Sequence, residues 1–146
     1  MSCDAAAAIA VLWLAATGPV TPGPGLSTPP AMVAQEPLFL DIVKRAGALK
    51  ATVDGVRAGK ALPADFKTRI GELAALDMQG HLLLAQRGTD GDLKCILRGI
   101  SQDLPLKLDA VTAAATPRDR DLALRDMAYL LNDNVEVITA PPAAPV

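Results

Sequence analysis

Residues 116–139 read TPRDRDLALRDMAYLLNDNVEVIT, and this stretch decides the fold. Thr116 supplies a capping oxygen, Pro117 suits the first helical position, and Asp119 places a carboxylate where a helix N-terminus favours one. Leu124, Ala128, Leu131, Val135 and Ile138 then recur at alternating spacings of four and three. That pattern predicts one core-facing stripe on an amphipathic helix. Arg125, Tyr129, Asn132 and Glu136 fall on the opposite side. Proline at 141 and 142 stops the helix, because proline has no N–H to continue the ladder.

Three similar stretches precede it. Residues 37–58 carry Phe39, Ile42, Ala46, Leu49, Val53 and Val56 in the same rhythm. Residues 63–87 carry Phe66, Ile70, Leu73, Leu76, Gly80 and Leu83. From Leu73 to Ala85 this segment is apolar almost all round, which predicts deep burial. Residues 92–115 carry Leu93, Leu97, Ile100, Leu104, Leu108 and Val111. Pro105 interrupts that third segment, yet the apolar stripe continues in phase across it, so a kinked continuous helix is expected rather than a break. Short connections at 59–62, 88–91 and 116 make neighbours antiparallel. The expected architecture is all-α, an up-down-up-down four-helix bundle over residues 37–139.

The composition agrees. Of 146 residues 51% are hydrophobic but only 3% aromatic, so the core is built of Ala, Leu, Val and Ile. That favours packed helices over a sheet. The net charge of -2 sets up no field for nucleic acid, and one Trp, one Tyr and two Phe offer little for bases to stack on. No nucleic-acid partner is expected.

Residues 5–17, AAAAIAVLWLAAT, form an uncharged apolar run shorter than the ~20 residues that span a bilayer. Its length fits a signal-peptide core. Against a standard signal, the first four residues carry Asp4 and no Lys or Arg, and Pro19 follows Gly18. Residues 1–18 are therefore read as a signal peptide or N-terminal membrane anchor, with 5–17 the candidate tether. Residues 19–36 hold five prolines alternating with glycines and read as a disordered linker. Residues 140–146 read as a disordered tail. The expected address is periplasmic or extracellular.

The search for chemistry is mostly negative. There is no HExxH, CxxC, P-loop or GxSxG pattern, so no enzyme is expected. His81 is the single histidine. Its expected partner is Asp77, one turn earlier. Cys95 reads as a small hydrophobe, with a dimer-forming thiol or soft metal ligand as alternatives. A weak constellation of His81 with Met78, Cys95 and Met127 would suit copper(I) or haem if those side chains converged. No cofactor, metal site or catalytic residue is assigned on that basis. Two functions remain: a non-catalytic exported bundle that binds an unknown protein partner or has a structural role in the cell envelope, and, as the alternative, a small metal- or haem-binding bundle using His81 with a soft ligand.

Overall fold

A computed structural model describes residues 33–88 and 91–140. The apolar leader, most of the linker, the turn residues 89–90 and the tail from 141 lie outside the described residues. Four helices follow one another: α1 (Pro37–Arg57), α2 (Phe66–Gln86), α3 (Asp92–Ala113) and α4 (Pro117–Thr139). They form an all-helical four-helix bundle. Packing runs around a ring, α1 on α2, α2 on α3, α3 on α4 and α4 back on α1. Helices α2 and α4 therefore face each other across the diagonal.

Two cross-helix ion pairs mark the ends of the ring. The guanidinium of Arg57, at the end of α1, donates to Asp121 Oδ1 near the start of α4 at 3.0 Å. That places α1 and α4 antiparallel. At the other end Arg87 clamps Glu36 with both guanidinium nitrogens, at 2.7 and 2.8 Å. Exposed pairs of this kind fix register more than they stabilise. Residues 33–36 already belong to the folded unit, since Val33 is buried in the core and Glu36 holds Arg87.

The helix ends follow from local chemistry. Thr116 Oγ1 accepts from the backbone N–H of Asp119 at 3.1 Å, the cap the sequence predicts. Gly59 adopts φ +97° just past α1. There Lys60 N–H returns to Gly55 O and Gly59 N–H to Val56 O, closing both orphan carbonyls in a Schellman turn. α2 begins three residues later than expected, because residues 63–65 form a preceding turn with Phe66 N–H on Pro63 O. α3 runs unbroken through Pro105, whose ring sits on the exposed side. The expected cap at Thr89 or Asp90 lies outside the described residues.

The buried positions keep a heptad rhythm in three helices: Phe39, Ile42, Ala46, Leu49 and Val53 in α1; Phe66, Ile70, Leu73, Asp77, Gly80 and Leu84 in α2; Leu124, Met127, Leu131, Asn134 and Ile138 in α4. α3 contributes Leu97, Ile100, Leu104, Leu108 and Val111. A 3.5-residue repeat is the signature of helices that interlock at about 20°. The α2 stripe departs from expectation in its second half. Leu76 and Leu83 are only half-buried, and Asp77 and Leu84 take their places. In α4, Val135 is half-buried and Asn134 is inside.

Gly80 allows this close approach. A Cβ there would stand 3.0 Å from Leu97 Cδ1 and 3.3 Å from Phe39 Cε1. Gly47, on the exposed side of α1, has nothing within 4 Å. The two glycines should respond oppositely to alanine. Gly47→Ala should stabilise by ~0.5–1 kcal/mol through helix propensity alone. Gly80→Ala should destabilise by ~1 kcal/mol, because overpacking of ~1–3 kcal/mol outweighs the propensity gain. Urea denaturation of both variants checks this, and a stabilised Gly80→Ala would show that the α1–α2–α3 contact is looser than described.

Candidate functional site

The unusual chemistry of the molecule lies in its core. Asp77 and Asn134 occupy inward positions of α2 and α4, each 0% exposed. Asn134 Nδ2 donates to Asp77 Oδ2 at 2.9 Å. This bond crosses the diagonal of the bundle and joins two helices that do not pack as ring neighbours. The remaining oxygens, Asp77 Oδ1 and Asn134 Oδ1, are buried and have no hydrogen-bond partner. A buried acceptor left unmatched costs about 1–3 kcal/mol, so two of them in one pair call for a physical account.

Burial pushes the Asp77 carboxyl up from the usual 3.8 to about 7, and the Asn134 amide, which favours the charged form, offsets only part of this. No charged side chain contributes to the shift. Among the described residues Asp77 is the only titratable group on the buried faces of the four helices. It is a carboxylic acid sitting where an aliphatic residue would continue the heptad.

The other residues singled out from the sequence lie in different surroundings. His81 is half-buried, and its Nδ1 lies 2.7 Å from the backbone oxygen of Lys94 on α3. The expected His81–Asp77 pair is therefore corrected. Asp77 turns inward to α4, while His81 turns sideways to α3. Cys95 is half-buried and disulfide-bonded, so its sulfur is not a thiolate ligand; Cys3 lies outside the described residues. Met127 is fully buried on α4, and Met78 is half-buried. No group of three or more His, Cys, Asp or Glu side chains that could hold a metal occurs among the described residues.

A second feature lies on the surface. Between α1 and α4 a shallow groove is lined by Lys50, Asp54, Arg57, Arg125, Tyr129 and Asn132. Tyr129 stands 63% exposed over it. Lys50 and Asp54 pair at 2.9 Å, and the Arg57–Asp121 pair lies at one end. The guanidinium of Arg57 holds the Asp121 carboxyl below its ordinary value. The floor includes Ala128, small enough to let the groove dip toward the core.

Sequence reasoning missed Asn134 and misplaced Asp77 because polar residues read as surface. A signal was present: both lie in phase with the apolar seam, Asp77 four after Leu73 and Asn134 three after Leu131.

Two replacements separate the core pair from the histidine. Asn134→Ala opens a cavity and strands the carboxyl, so it should cost ~2–4 kcal/mol at pH 7. His81→Gln, at a half-buried position, should cost ~1 kcal/mol or less. Equal losses in denaturant titrations would mean that the diagonal pair carries no special weight.

No protein-family model, curated protein or solved structure matches this chain.

Proposed function

We propose that this protein is a non-catalytic, exported helical bundle that acts by binding a protein partner at the cell envelope. The observation that carries the binding reading is Tyr129, a ring held 63% exposed on the α1–α4 face beside Arg125 and Asn132. Tyrosine and arginine dominate the energetics of protein interfaces, because each covers a large area and keeps a polar tip to satisfy. A solvent-facing aromatic in a chain with only 3% aromatic residues is a selective placement. The groove mixes Lys50, Arg57 and Arg125 with Asp54, which suits a partner surface of mixed polarity better than a single-signed polymer.

Export rests on the apolar run at 5–17 followed by the proline- and glycine-rich spacer. None of the helices among the described residues is long and apolar enough to cross a membrane. The candidate tether is that run. The alternative of a metal- or haem-binding bundle would use His81 through Nε2, since Nδ1 lies against the Lys94 carbonyl oxygen.

The test uses the full chain with a C-terminal tag in its native host, carrying a photo-crosslinking amino acid at position 129. A discrete adduct should form at 129, fall several-fold with Arg125→Ala, and be absent when the crosslinker is at 103, an exposed site on α3. Fractionation of the same cells should place the tag outside the cytoplasm. Equal labelling from 129 and 103, or a cytoplasmic tag, would contradict the proposal.

A further inference from the structure

The diagonal pair has a chemistry that its hydrogen-bond inventory makes explicit. One bond is formed, from the Asn134 amide nitrogen to Asp77 Oδ2. The two atoms left over are both oxygens, one on each planar group, both sealed from solvent. With the carboxyl charged, both are acceptors and neither can satisfy the other. A carboxylic acid has an O–H donor that a carboxylate lacks. A proton on Asp77 Oδ1 turns the mismatched oxygens into a donor and an acceptor.

We propose that Asp77 and Asn134 form a one-proton lock. With the carboxyl neutral they close a cyclic acid–amide pair, Asn134 N–H to Oδ2 and Oδ1–H to Asn134 Oδ1, that ties α2 to α4. With the carboxyl charged, only one of the two bonds survives. Proton uptake leaves no net charge in the core and gives both unpartnered oxygens of the pair a partner. Loss of the proton leaves a charge in an apolar interior with a single neutral hydrogen-bond donor.

The surroundings leave the titration to this pair. The inner face of α1 is Phe39, Ile42, Ala46, Leu49 and Val53, with no ionisable group. On α3 the only buried polar side chain is Ser101. On α4 it is Asn134 itself. His81, one turn along α2, is engaged by the Lys94 carbonyl oxygen. The charged cluster of Arg45 with Asp41 and Glu72, on the α1–α2 edge, is self-paired at the surface.

The sign follows from the two states. In the unfolded chain the Asp77 carboxyl has its usual value of 3.8, and burial in the fold raises it to about 7. Folding therefore binds a proton between those values, so stability is greatest at the acid end and declines as pH rises toward 7. It levels off above that. Surface carboxylates such as Glu36 and Asp121, held below their ordinary values by arginines, act in the opposite direction as pH falls. A comparison of variants removes them.

The experiment is chemical denaturation of the full chain from pH 4.5 to 8.5, against Asp77→Asn. An asparagine at 77 can form the same two-bond ring with Asn134 but cannot titrate. The ratio of wild-type to variant folding constants should fall at least ten-fold between pH 5 and 8 and then flatten. The exchanged pair, Asp77→Asn with Asn134→Asp, should recover the decline, because the acid and amide have only traded places. A ratio independent of pH, or an exchanged pair that shows no pH dependence, overturns the lock. If either variant fails to fold, calorimetric unfolding of wild type at pH 6 in buffers of different ionisation enthalpy decides. Net release of about one proton that disappears above pH 8 supports the lock, and its absence refutes it.

Discussion

A carboxylic acid in the middle of an aliphatic core is the constraint to which the rest of the bundle is fitted. Asp77 cannot be moved to solvent without rotating α2 and exposing Phe66, Ile70 and Leu73, which share its face. It cannot stay inside without a partner. Asn134 is that partner, and it comes from the helix diagonally opposite. A single polar residue at a seam position fixes register at a cost in stability, since only one alignment pairs it. Here one hydrogen bond sets the height of α4 against α2. Gly80, one turn above Asp77, lets Leu97 and Phe39 close over the same region. The dry surroundings that hold the carboxyl near neutrality are thus built by the neighbours of the pair.

The helices and their order were legible because three of the four have clean stripes. In α1 every expected inward residue but Val56 is buried, and in α3 every one but Leu93. The Thr116 cap and the passage of α3 through Pro105 also follow from side-chain chemistry that acts within one turn. The second half of α2 was not legible. Between Leu73 and Ala85 apolar residues cover the whole circumference, so the phase of the stripe is under-determined and slips by one position. The site was hidden for a related reason. Hydropathy assigns aspartate and asparagine to the surface, and only tertiary packing places these two against each other. Asp77 reads naturally as a partner for His81 when only one helix is in view. With four helices in place, the two side chains diverge to different neighbours.

The same physics divides the molecule by role. The interior holds the buried acid–amide pair, and the proposed contact surface lies on the exterior. Tyr129 and Asn134 lie five residues apart on α4, one outward and one inward. The exposed ring and the buried amide are thus carried by the same helix. α4 also packs along α1, which contributes Lys50, Asp54 and Arg57 to the groove.

Burial holds the Asp77 carboxyl well above the ordinary carboxylate range, so the core can take up a proton near neutral pH. Carbon-13 NMR of the side-chain carboxyl of Asp77, followed from pH 3 to 9 in the folded full-length chain, tests it most directly. The expected midpoint is about 7, well apart from the exposed aspartates. A midpoint near the ordinary 3.8 would show a carboxylate that is charged in the fold, and the diagonal pair would then be a simple hydrogen bond without a proton to exchange.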